Sequence, residues 1–485
     1  MSMHELQIDP RDKSMDVPLC VDLDGTLVKT DMLLESVLVL IKRRPLAVLF
    51  LPFWLLKGKA YLKRRIADQV NLDVRCLPYH PQLLDHLIQE SESGRRLVLV
   101  TATELRIAVQ IQRHLELFSE VIASDGERNL KGTEKRNVLI ERFGAKGFDY
   151  AGNAAIDLKV WREARKAIVV TRSSGLVARA EKISQLGQVF LVKGSRTMAL
   201  VRAVRVHQWV KNALVFVPLL VSHNLANPHA VVNAALAFLA FSLCASGVYV
   251  LNDLLDLSAD RQHSKKKYRP FASGDLPLAL GIALIPILVS GGVAVSLFLP
   301  TDFLITLAIY FALNLGYSLF LKQVELIDVM LLAGLYTIRI FAGATAIGVR
   351  TSSWLLTFSG FLFLSLALVK RFSETRNAGK QNHSLINGRG YFGTDSDHLV
   401  SMGTASGYIS VLVLGLYVSS TDVAILYKRP GMLWLICPLM FYWISRVWLL
   451  AHRGLMNEDP VVFAVKDKTS YAICALAGVL MFLAT

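Results

Sequence analysis

The sequence predicts two fold classes in tandem. Residues 1–197 read as an α/β, Rossmann-like domain with a small helical cap, and residues 198–485 as an all-α polytopic membrane bundle of about nine transmembrane helices. Three observations carry this. The 485-residue chain is 53% hydrophobic and only 19% charged, too apolar for an ordinary soluble enzyme. Strand-like runs alternate with helical stretches before residue 200. Beyond it, one apolar run of spanning length follows another.

The start, "MSMHELQIDPRDKSMDVPLC", has no apolar core of the signal-peptide kind, so the N-terminal domain is expected in the cytoplasm. Strands are expected at "LCVDLDG", "RLVLVTAT", "EVIAS", "FDYAGN", "AIVVT" and "VFLVK"; strand then helix, repeated, implies a parallel sheet. The stretch "PLAVLFLPFWLL" (45–56) is intensely apolar but 12 residues long. A span needs about 20, so a cap helix touching the membrane surface is expected, with a re-entrant segment as the alternative.

Spans are expected at 209–224, 230–251, 278–299, 302–320, 326–347, 353–371, 403–420, 431–449 and 470–485, the first being the weakest. With the N-terminal domain in the cytoplasm, the cytoplasmic loops carry 15 Lys and Arg (Lys380 and Arg389 among them) and the opposite loops 3. This is the positive-inside asymmetry of a multi-pass inner (plasma) membrane protein. It also explains the net charge of +15 without nucleic-acid binding. Five widely spaced cysteines with no CxxC read as ordinary thiols.

Two carboxylate groupings point to chemistry. In "NDLLDLSADRQHSKKKYRP" (252–270), helical spacing would put Asn252, Asp253, Asp256 and Asp260 on one face. Clustered carboxylates at a membrane edge need a cation; Mg2+ takes oxygen ligands and is commonly shared with substrate phosphates. Lys266 and Arg269 follow, suited to remaining diphosphate charge. The plainer alternative is a polybasic loop on anionic lipid. On the same side, Tyr317, Lys322, Asp328 and Arg339 are polar positions in apolar surroundings. They read as substrate-pocket or phosphate-contacting groups; alternatively Lys322 snorkels and Asp328 pairs with Arg339.

The form NDxxDxxxD with KxxRP resembles the first aspartate-rich motif of the UbiA-type membrane prenyltransferase superfamily. "YSLFLK", "ID", "YTIR", "RVHQWVKN", "LVKRFSE" and "DPVVFA" resemble its decaprenyl-phosphate phosphoribosyltransferase branch, over about residues 199–485. Ser264 stands where proline is expected. The resemblance implies transfer of 5-phosphoribose from phosphoribosyl diphosphate to a polyprenyl phosphate. Asn252, Asp253 and Asp256 would hold metal and diphosphate, with Asp260 as support or ligand. Lys211, Lys266, Arg269, Lys322 and Arg339 are the candidate phosphate contacts. One rival is an ordinary prenyltransferase with an aromatic acceptor; it usually carries a second, DxxxD-type motif, weak here. The other is a transporter of a phosphorylated solute, for which no inverted repeat is evident.

In "VDLDGTLVKTD" (21–31), strand alternation puts Asp22 and Asp24 on one side, within reach of one metal. DxDGT at a strand end resembles motif I of the haloacid dehalogenase superfamily, which makes Asp22 the nucleophile and Asp24 the general acid/base. Thr101 matches the phosphate-gripping residue and Lys135 the motif lysine, with Lys131 the alternative. "YAGNAAID" matches the acidic metal motif, but Asn153 stands where aspartate is usual, leaving Asp157 to compensate. A phosphatase beside the membrane would remove the 5-phosphate from the lipid-linked product; a degenerate docking domain is the alternative.

Overall fold

The computed structural model describes residues 17–192, 194–378, 390–456 and 459–485. Lys380 and Arg389, counted above among the cytoplasmic cations, lie outside them. The chain divides into two compact units. The first comprises residues up to Ala203 together with Leu251–Ala283; the second comprises Val204–Val250 and Leu284–Thr485.

The first unit is built on six strands: β1 Leu19–Val21, β2 Leu97–Glu104, β3 Glu120–Ser124, β4 Asp149–Gly152, β5 Lys166–Thr171 and β6 Gln185–Leu191. They form one parallel sheet in the order β3-β2-β1-β4-β5-β6. The inner strands are continuous apolar runs because helices cover both faces. The strand order turns at β1 and β4, and it is outside the carboxyl ends of such strands that an open α/β sheet binds ligands.

Between β1 and β2 lies the helical cap. Asp31 caps the helix Met32–Arg43 by accepting from the Leu34 N–H at 3.0 Å. The chain then turns through Pro45–Phe50 and Leu51–Leu56 into the helix Lys59–Ala67. Leu40, Ala47, Leu62 and Ile66 form a small core of their own beneath it.

Among the described residues, seven helices are long and apolar enough to cross a membrane: Pro228–Leu255, Leu278–Ser296, Thr301–Leu319, Ile327–Ile347, Ser353–Arg376, Gly393–Val418 and Pro430–His452. They match the second to eighth expected spans. The last expected span is a 17-residue apolar helix, Lys468–Ala484. The first is not one helix: a 3-10 stretch, Val206–Phe216, runs into the short helix Val217–Val221. Its polar groups dictate this shape. Trp209 donates to Ser246 at 2.9 Å and Asn212 to Ser242 at 3.1 Å, both on Pro228–Leu255. Gly343 admits the Val215 carbonyl where any Cβ would collide with it.

Candidate functional sites: two carboxylate clusters and a lysine-bound aspartate

The first cluster stands at the carboxyl end of β1. Gly25, at a φ of +76°, turns the chain directly after Asp24, and its missing Cβ leaves room for the Asn153 side chain. Lys135 lies in the first turns of the helix Thr133–Phe143. Its Nζ donates to Asp22 Oδ1 at 2.6 Å and to the Tyr150 hydroxyl at 3.0 Å. Burial works against the Lys135 charge, but Asp22 and Asp157 outweigh it and raise the lysine above its ordinary value. Asp24 accepts from the Met32 N–H at 2.7 Å and from Thr103 Oγ1 at 2.8 Å. Burial, then Asp31 and Asp22, push its carboxyl up to about 7, where it can carry a proton at neutral pH.

The sequence-predicted set is thus largely brought together. Asp22, Asp24, Lys131, Lys135, Asn153 and Asp157 line one cavity of about 570 Å³. Lys59 and Lys63 line it too; neither was singled out in the sequence, where they look like surface cations of an apolar cap. Thr101 is fully buried, and its hydroxyl accepts from the Thr103 N–H at 3.0 Å. Asp157 Oδ2 accepts from the Asn153 and Ala154 N–H groups at 3.0 and 2.9 Å, and Tyr150 reaches Oδ1 at 3.3 Å. Asp157 therefore shapes the loop that presents Asn153. Asp22, Asp24, Asn153 and Asp157 on its wall carry side-chain oxygens, the donor type that magnesium takes.

The second cluster belongs to the same unit. The helix Pro228–Leu255 stops at Asp256 and resumes as Leu257–Gln262, so the expected single acidic face is broken. Asp253 and Asp260 still converge. Both reach one atom, Arg269 Nη1, at 3.1 and 2.6 Å. Asp256 turns to Lys42 of the cap, at 2.8 Å. Asn252 is half-buried near the helix end, and Lys266 is exposed on a 3-10 turn. Arg261 forms a buried fork with Glu35 at 2.5 and 3.2 Å, and Glu35 also accepts from Thr30 at 2.8 Å. Among the described residues, no group of three or more His, Cys, Asp or Glu is preassembled as a metal cage. What the described residues show is two carboxylates sharing the Arg269 guanidinium.

The second unit holds a third arrangement. Lys211 and Lys370 donate to Asp459 at 2.9 and 3.2 Å, and the Tyr336 hydroxyl reaches the same carboxylate at 3.1 Å. Burial would raise the Asp459 carboxyl, but Lys370 and Lys211 outweigh it and hold it well below the usual range. Arg339 donates to Asn212 at 2.8 Å and to the Tyr310 hydroxyl at 3.0 Å. The alternative in which Arg339 pairs with Asp328 is not found among the described residues, where each has another partner. Asp328 is fully buried against Arg371 at 2.7 Å and accepts from Tyr391 at 2.6 Å. Tyr317 is half-buried near the end of Thr301–Leu319, and Lys322 sits in the 3-10 turn that follows. Asp459, Lys370, Tyr336 and Arg371 were not predicted as site residues. Their signal lay in "DPVVFA", "LVKRF" and "YTIR", but pairing across distant segments is invisible in spacing.

A profile of the UbiA prenyltransferase family matches residues 214–466, more than half of the chain. The chain belongs to the UbiA prenyltransferase family. Over 478 residues it is 36% identical to an uncharacterized protein of Sinorhizobium fredii, covering 98% of this chain and 92% of that one. It is 37% identical to the nodulation protein NoeC of Azorhizobium caulinodans over 59% of this chain and 93% of the relative. It is 32% identical to the decaprenyl-phosphate phosphoribosyltransferase of Mycolicibacterium smegmatis over 46% of this chain and 71% of the relative. As a UbiA family member with seven apolar helices of spanning length, the chain is a multi-pass membrane transferase.

Proposed function

We propose that the membrane part transfers 5-phosphoribose from phosphoribosyl diphosphate to a polyprenyl phosphate, and that the N-terminal unit then removes the 5-phosphate. The named relative supports the first step. The observation that favours it over prenyl transfer to an aromatic acceptor is the burial of Asp328. The one aspartate near the position of a second acidic motif is sealed against Arg371 and Tyr391, so it is not offered to a second metal–diphosphate complex.

In the first step, an oxygen of the lipid phosphate attacks the anomeric carbon as the bond to diphosphate breaks. The nucleophile is already anionic, so no strong base is needed. Asn252, Asp253 and Asp256 would hold magnesium, with Asp260 in support; the ion supplies charge stabilisation to the departing diphosphate. Arg269 and Lys266 take the charge that remains. In the second step, Asp22 attacks phosphorus, Asp24 protonates the leaving ribose oxygen, and water later cleaves the phosphoaspartate. Lys135 holds the phosphoryl oxygens, while Thr101, sealed behind the cavity wall, fixes the Thr103 N–H beside them; Asp22 with Asn153 would bind a second magnesium ion.

The test uses purified protein, Mg2+, polyprenyl phosphate and phosphoribosyl diphosphate labelled in its ribose. Label in the lipid phase supports phosphoribosyl transfer. Folded protein that leaves the lipid unlabelled at several chain lengths, yet prenylates an aromatic acceptor, overturns it.

A further inference from the structure

The cap carries an apolar surface that the mechanism above does not use. In Pro45–Phe50 and Leu51–Leu56, only one side packs inward: Ala47, Leu51 and Trp54 sit on the small core. The other side presents Leu46, Leu49, Phe50, Phe53 and Leu56 to the outside, with exposures from 55% to 85%. Contiguous exposure of five large apolar side chains is unusual on a surface facing only water.

Cations frame this strip. Arg43 and Arg44 precede it, and Lys57 and Lys59 follow. A groove there is lined by Phe50 and Trp54, stacked at 6.2 Å, together with Arg44 and Arg65. The Arg65 guanidinium lies 5.8 Å from the Trp54 ring centre. Apolar side chains with an aromatic pair, flanked by Lys and Arg, match the boundary between acyl chains and anionic headgroups. The strip also runs directly into the carboxylate cavity. Leu55 and Lys59 line that cavity beside Asp22, Asp24 and Lys63.

We infer that the outer face of residues 45–56 lies in the interface of an anionic bilayer, and that the cavity it adjoins takes lipid-borne phosphomonoesters in preference to free sugar phosphates. This rests on the phosphatase reading and names its substrate class. A phosphate carried at the lipid surface enters past Leu55, with Lys59 and Lys63 meeting its charge.

The test uses the full chain in nanodiscs containing anionic lipid. A nitroxide is placed at Leu49→Cys in a background with the five native cysteines replaced. Power saturation should show it accessible to oxygen and shielded from a water-soluble nickel chelate. Equal exposure to the chelate overturns the docking, whatever the enzymology shows. Protection from both reagents with dipolar broadening between labels also overturns it, in favour of a second copy of the chain. The activity arm compares the parent with a Phe50→Ser, Phe53→Ser, Leu56→Ser variant. KM for the lipid-linked phosphoribose should rise roughly tenfold, as effective concentration at the surface is lost. Turnover of ribose 5-phosphate should not change. Equal effects on both substrates overturn the lipid preference. A docked label with neither substrate hydrolysed overturns the phosphatase reading and the substrate class, leaving the docking.

Discussion

The two carboxylate clusters of the first unit are built from the same side chains but held in opposite ways. Asp22 and Asp24 follow a buried strand, and fixed donors surround them: Lys135, the Met32 N–H and Thr103. Asp253, Asp256 and Asp260 straddle the end of a long helix, and cationic side chains from other segments meet them: Arg269 and Lys42. A strand end aims two alternate residues into one cavity and leaves little freedom. A helix end that breaks at its second aspartate divides its carboxylates between two cations. The first geometry suits a nucleophile, whose line of attack must be set beforehand. The second suits a metal–diphosphate complex that changes partners as it arrives and leaves.

The largest expected effects test whether the clusters run separate reactions. Asp22→Asn should lower phosphate release by about 10³-fold or more, as removal of an attacking group does, and leave label transfer to lipid intact. Asp253→Asn should abolish label transfer and, given preformed lipid-linked phosphoribose, leave phosphate release intact. Loss of both activities in either variant would merge two sites that the comparison keeps apart.

The link between cap and acidic segment comes next. Arg261 and Glu35 are both nearly sealed from solvent. Arg261→Ala leaves the Glu35 charge buried without its guanidinium, which costs about 3–5 kcal/mol for pairs of this kind. Thermal unfolding in detergent should show the loss, and Glu35→Gln in the same chain should recover much of it. An unchanged midpoint would mean that the cap does not brace the acidic segment.

Protonation separates the clusters further. Asp24, raised to about 7, must hold its proton to expel the alcohol. Phosphoaspartate formation in single-turnover experiments should therefore fall as pH rises through about 7. In the same sense, the raised value makes Asp24 stabilising at low pH, with that contribution lost as pH rises through about 7. A rate still climbing well above pH 7 would remove Asp24 as the acid.

The smallest effect concerns Lys42. Lys42→Met releases Asp256, so the magnesium concentration for half-maximal transfer should fall about three- to tenfold, as expected when one competing cation is removed near the surface. A rise would mean that Lys42 positions Asp256 for the metal.

Sequence pattern made much of this legible. Period-two alternation placed Asp22 and Asp24 together, and the parallel sheet followed from strand–helix repetition. Seven spans followed from hydropathy. Pairings across distant segments were not legible. Asp328 with Arg371, Asp459 with Lys211 and Lys370, and Glu35 with Arg261 bring together residues far apart in the chain, and spacing encodes only neighbours on one element. The broken first span escaped for a related reason. Lys211 and Asn212 need partners outside their own segment, and hydropathy averages them into an apolar window.

The most direct test of two coupled sites in one chain is the 5-phosphate content of the lipid product. Parent and Asp22→Asn protein are supplied with the same polyprenyl phosphate and phosphoribosyl diphosphate, and the lipid-linked sugars are resolved by mass. Lipid-linked ribose from the parent, and lipid-linked phosphoribose from Asp22→Asn at an equal total, is the predicted result. An identical product mixture from both would contradict the coupling.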